Sequence, residues 1–194
     1  MKKSILSAIV LMAISGAALA QTTATEVQRD VNQQQRIEQG LQSGSLSTKE
    51  AGRLEKGEAR VEKLEAKANR DGTVTNAEKA RIQGAQNSES AAIEKAKSNS
   101  ATGNPNSASS QRMQADVQRN VNQQKRIEQG VQSGALTKHE TAKLERGQAR
   151  VASAESRASA NGHVSAAEQR AIQKRENRQS KRILKEKHDA QLKG

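Results

Sequence analysis

The sequence predicts an all-α protein made of two tandem three-helix units. Three observations carry this. The chain repeats itself without gaps at an offset of 90 residues, so Arg36-Ile37-Glu38-Gln39-Gly40 returns as Arg126-Ile127-Glu128-Gln129-Gly130. Apolar residues recur at a period of 3.5 to 3.6, with Ala, Glu, Lys, Arg and Gln filling most other positions, and no run alternates as a strand would. Four turns share one pattern of helix-stop and helix-start residues. Across 26–97 and 116–187, 36 of the 72 aligned positions are identical, enough to treat the copies as one fold used twice.

The chain opens with Lys2 and Lys3, an apolar run over 5–18, and Ala18-Leu19-Ala20. This is the pattern of a secretory signal peptide, residues 1–20, cut before Gln21. The apolar run is broken by Ser7, Ser15 and Gly16 and is short for a span, which takes about 20 apolar residues. No later segment is apolar enough to cross a membrane, so the expected location is periplasmic or secreted.

The first repeat unit covers 21–97, with helices expected over 25–41, 48–69 and 76–97. Val27, Val31, Ile37 and Leu41 share a face of the first. Leu54, Val61, Leu64 and Ala68 share one on the second, with Gly57 in the same seam. Ile82, Ala85, Ile93 and Ala96 share one on the third. A stretch rich in Ser, Asn and Gly and holding Pro105 follows, read as a flexible linker over 98–112. The second unit, 113–194, repeats the plan and ends in a basic helix.

The turns are Ser43-Gly44-Ser45-Leu46-Ser47 with Glu50, Asp71-Gly72-Thr73-Val74-Thr75 with Glu78, Ser133-Gly134-Ala135-Leu136-Thr137 with Glu140, and Asn161-Gly162-His163-Val164-Ser165 with Glu168. Glycine just past a helix end takes the left-handed conformation. Ser or Thr with Glu three places on forms a capping box that satisfies free N–H groups of the next helix.

The same pattern resembles the back half of an EF-hand calcium loop. That resemblance implies a calcium site over 67–78 with Asn69, Asp71, Thr73, Thr75 and Glu78 as ligands. Lys67 stands where the family's first acidic ligand belongs, and Arg157 does so in the second copy. The R-I-x-Q-G…S-G-x-L-[ST]-x-x-E pattern also resembles that of uncharacterised exported bacterial helical-repeat proteins, which implies export but no particular activity.

Composition excludes several functions. There is no Cys, and no Phe, Tyr or Trp, so thiolate chemistry, disulfides and aromatic base-stacking platforms are ruled out. No phosphate-binding Gly loop, nucleophilic triad or paired catalytic carboxylates stand out, so no enzyme and no cofactor are expected, calcium excepted. His139, His163 and His188 have no counterparts in the first copy and no converging partners in the pattern.

Charge distinguishes the copies. Residues 26–97 carry 13 Lys and Arg against 12 Asp and Glu, whereas 111–194 carry 18 against 9. In the last helix Lys174, Arg178, Lys181 and Lys185 step at i, i+4, i+7 and i+11 and form one stripe. The expected partners are therefore anionic envelope material or a protein, with nucleic acid met only through its phosphates. Leu, Ile and Val make up about 13% of the chain after the leader, below the roughly 20% at which folding becomes marginal. Self-association through the seams would add buried area. The leading expectation is an exported, non-enzymatic helical interaction protein touching anions through its last helix. The alternative is a calcium-binding protein of degenerate EF-hand type.

Overall fold

The computed structural model describes residues 15–189, with side chains described from 23 to 189. Most of the expected leader, 1–14, and the last five residues lie outside that range. Among the described residues there are six helices and no strand: α1 Ser15–Ser43, α2 Thr48–Ala68, α3 Asn76–Ser98, α4 Ala108–Gln132, α5 Lys138–Ala158 and α6 Ala166–Asp189. A single 3-10 turn, Asn69–Asp71, follows α2. None of these helices is long and apolar enough to cross a membrane.

Each turn forms as its residues dictate. Gly44, Gly72, Gly134 and Gly162 all have φ between 73° and 86°, where a side chain would be strained. Ser47, Thr75 and Thr137 cap the next helix, and Glu50, Glu78 and Glu140 return the bond to the cap backbone. Ser165 and Glu168 do the same for α6, with Glu168 Oε2 accepting from Ser165 N at 2.8 Å. The apolar residue of each turn, Leu46, Val74, Leu136 or Val164, is buried. It drives the turn back onto the body, and Leu46 N–H closes it by donating to the Gly40 carbonyl at 2.9 Å.

The packing differs from two separate three-helix units. The most extensive contacts join α2 to α5 and α1 to α4, so the first two helices of each copy lie against their own counterparts from the other copy. Helix α3 covers α1 and α2, and α6 covers α4 and α5. This is the self-complementary arrangement of a two-fold dimer, held within one chain. The apolar clusters follow the same plan. One joins Ile37, Leu41, Leu46, Leu54 and Ile93 to Val117, Ala158, Val164 and Ile172. Their counterparts form the opposite end, where Ile127, Val131, Leu136, Leu144 and Ile183 gather with Val27, and Ala68, Val74 and Ile82 gather beside them. Each copy is too poor in large apolar residues to close a core alone, and the other copy supplies the missing surface.

The connection between copies is shorter and more fixed than a flexible 98–112 linker. Residues 108–112 already belong to α4. Gly103 N donates to Gly44 O at 2.7 Å, and a side chain there would strike the Leu46 backbone. Gln114 Nε2 holds Pro105 O at 2.9 Å, and Ser107 caps α4. These contacts seat the connection on the α1–α2 turn.

Candidate functional site: acidic interior and basic outer face

Between the two apolar ends lies a belt of carboxyl groups. Helix α2 places Glu55, Glu58, Glu62 and Glu65 on its inward face, at the helical spacing that elsewhere would carry Leu or Val. Glu26, Asp30 and Glu89 join them from α1 and α3, and Asp116, Glu145, Glu155 and Glu176 from the second copy; all are buried. Composition and apolar periodicity read these residues as solvated helix formers. The signal that could have found them is the 3–4–3 spacing of the α2 glutamates, which sets them on a different face from exposed Lys56, Lys63 and Lys67.

Amides supply most of the donors. Gln34 Nε2 reaches Glu55 Oε2 at 3.1 Å, and Gln124 Nε2 reaches Glu62 Oε1 at 3.1 Å. Gln86 Nε2 sits between Asp30 Oδ1 at 2.9 Å and Glu65 Oε1 at 3.0 Å. Asn120 Nδ2 donates to Glu155 Oε2 at 2.8 Å. The one ion pair reaching this belt among the described residues is Arg119 with Glu176 at 3.3 Å. Burial therefore dominates the electrostatics. It pushes Glu26 and Glu89 up to about 7, Asp116 to about 7 and Glu176 to about 8. Burial, reinforced by neighbouring carboxylates, lifts Glu58, Glu62, Glu65, Glu145 and Glu155 well above the usual range. One oxygen each from Asp30, Glu65 and Glu145 lies within 4.8 Å of the others. Three buried carboxyls that close cannot all be ionised, so the belt holds protons.

The residues of the expected calcium loop are occupied locally. Asn69 turns inward, its Nδ2 donating to Glu65 O at 3.0 Å and its Oδ1 accepting from Thr23 Oγ1 at 3.3 Å. Asp71 Oδ1 accepts from Thr73 N at 3.0 Å. Glu78 Oε2 accepts from Thr75 N at 3.0 Å and Thr75 Oγ1 at 2.7 Å. The chemistry on display at this turn is helix capping. Bonds from Thr75 hold the Glu78 carboxyl below its ordinary value, as expected for a cap.

The outer surface has the opposite sign, and every described Lys and Arg is exposed or half-buried. On α6 the expected stripe of Lys174, Arg178, Lys181 and Lys185 is exposed, opposite buried Ile172 and Ile183. Beside it runs a cleft between α5 and α6 of about 180 Å³, lined by Gly147, Arg150, Val151, Arg175, Arg178, Gln179 and Arg182. Only Arg178 belongs to both features. A wider hollow of about 390 Å³ is lined by Lys63, Ala66, Lys67, Arg70 and Arg146.

No family model, curated protein or solved structure matches this chain.

Proposed function

We propose that this chain is an exported, non-enzymatic interaction protein whose last helix holds anionic envelope polymers. The observation that carries this reading is charge segregation. The acids are largely withdrawn into the belt or into caps, whereas the cations stay outside. On α6 Glu176 is buried, Glu168 is engaged in its capping box, and Glu186 and Asp189 lie in the last turn, so Lys174, Arg178 and Lys181 have no acid on the helix's outer face beside them. Lys and Arg near an anionic surface each contribute about 1 kcal/mol, screened within a Debye length. The leader-like residues 1–20 support delivery to the compartment where such polymers lie. The dimer-like interlock of the copies supplies a rigid back for the helix, and no catalytic constellation is needed for the task.

The test uses the whole chain after the leader, since the copies share their cores. It should bind heparin and anionic vesicles, with affinity falling steeply as salt rises. Changing Lys174, Arg178, Lys181 and Lys185 together to Gln should remove most of the binding and leave helix content intact, because Gln is a comparable helix former. Unchanged binding in that variant would remove α6 from the function.

A further inference from the structure

The cleft between α5 and α6 differs from its counterpart in the first copy in a way that points to a ligand. The duplication places Arg60, Ala85, Ser88 and Ala92 where the second copy has Arg150, Arg175, Arg178 and Arg182. The floor differs too, with Glu89 in the first copy and Gln179 in the second. Both floor residues enter the same gap in the helix wall, because Gly57 and Gly147 leave room that a Cβ would close onto Glu89 and Gln179 respectively. Gln179 is fixed there by its Nε2 donating to Leu144 O at 2.9 Å. One copy thus carries one arginine over an acid, and the other carries four over a neutral amide.

None of the four arginines has an ion-pair partner among the described residues, and no carboxylate lines the cleft. Converging unpaired cations repel one another, and an anion seated among them relieves that repulsion. A guanidinium presents two parallel N–H donors that match two oxygens of a phosphoryl group. A phosphate monoester offers three terminal oxygens, enough to engage more than one such fork, whereas a diester offers two. The wider hollow has comparable charge, but only two of its four cations, Arg70 and Arg146, are forks.

We propose that the α5–α6 cleft is a binding site for a phosphate group, free or carried as a monoester, held by Arg150, Arg175, Arg178 and Arg182. This rests on the reading of α6 as the anion-facing helix, and narrows it to one place and one chemistry.

Calorimetric titration of the whole chain after the leader, at constant ionic strength, tests the site with inorganic phosphate and with glucose 1-phosphate. Saturable binding of one equivalent is expected, weakened at least tenfold in Arg150→Gln/Arg175→Gln/Arg182→Gln. It should change less than threefold in Lys63→Gln/Lys67→Gln and in Lys174→Gln/Lys181→Gln/Lys185→Gln. Absent saturation, or equal weakening in all three variants, overturns the proposal. Heparin binding measured on the same proteins separates the two readings. Loss of phosphate binding with heparin binding intact supports a distinct cleft, whereas heparin binding without saturable phosphate binding sinks the cleft alone. Vesicles of phosphatidic acid, compared with phosphatidylglycerol at equal charge, show whether the monoester can be a lipid headgroup. Transplanting the site as Ala85→Arg/Ser88→Arg/Glu89→Gln/Ala92→Arg should raise the stoichiometry from one to two. A folded transplant that still binds one equivalent contradicts the assignment.

Discussion

The two copies share their turns, their apolar anchors and half of their residues, yet they have diverged in where they keep charge. The first copy puts its excess inside. Glu58, Glu62 and Glu89 stand where the second copy has Gln148, Ala152 and Gln179, and Asp30 stands opposite Asn120. The second copy puts its excess outside, as arginines and lysines on α6. The difference matters because the same backbone carries both. A buried carboxyl has to hold a proton or find a donor, whereas an exposed guanidinium only has to find water or an anion. Both copies therefore couple the fold to pH, the first with seven belt carboxyls against four in the second, while the second exposes the larger share of cations.

The largest expected effect is on stability against pH. Glu26, Glu89, Asp116 and Glu176 are raised above their ordinary values by burial, and further carboxyls are raised well above theirs. A raised carboxyl binds its proton more tightly when folded. Its contribution is thus fully present below pH 4.5 and is lost as pH rises through 7 to 8. A tenfold tighter hold on one proton in the folded chain corresponds to about 1.4 kcal/mol. Several groups titrating together should lower the melting temperature by ~10 °C or more between pH 5 and pH 8, since each kcal/mol moves a chain of this size by about 2–4 °C. A flat or rising profile in scanning calorimetry would contradict the proton-holding belt.

A smaller effect isolates one pair. Asp30 faces Glu65 where the second copy sets the Asn120 amide against Glu155. Asp30→Asn keeps an acceptor for Gln86 and supplies a donor to Glu65, so at pH 8 it should stabilise the fold by about 1 kcal/mol and flatten the pH profile. Asn120→Asp should do the reverse, costing about 1–3 kcal/mol at pH 8 and less at pH 5. Denaturant unfolding at both pH values reads both variants, and equal effects at the two pH values would show that the pair shares no proton.

The smallest effect concerns the caps. Thr137→Ala should cost about 1 kcal/mol. It removes the side-chain cap of α5, one of the two central helices, and the two bonds that the Thr137 hydroxyl makes with Glu140. Thr75→Ala removes the same motif from α3, a flanking helix with an exposed turn, and should cost no more. A larger loss at Thr75 than at Thr137 would reverse the assignment of α2 and α5 as the centre of the fold.

Much of this was legible before the structure. The inner helix limits followed from the residues themselves: α2 and α3 begin at the expected Thr48 and Asn76, and every turn glycine has the left-handed φ its place demands, whereas α1 begins at Ser15 rather than at the expected residue 25. The stripe of Lys174, Arg178, Lys181 and Lys185 lies exposed on one helix as its spacing requires. The arginine cleft was half legible, since Arg175 and Arg182 are in the sequence, but their meeting with Arg150 depends on how α5 and α6 pack.

The sequence by itself determined the helices, their caps and the twofold repetition, because those depend on hydrogen bonds and backbone angles spanning a few residues. Tertiary structure alone decided that α1 and α2 would lie on their counterparts α4 and α5, and that Glu55, Glu58, Glu62 and Glu65 would face inward. Glutamate favours a helix equally well in water or against a neighbour. Which environment it meets depends on the surface that arrives opposite it. Here that surface is α5 of the other copy, about 90 residues away in the chain, together with α1 and α3 of the same copy, and amides from both copies (Gln34 and Gln86, and Gln124) make the polar belt tolerable.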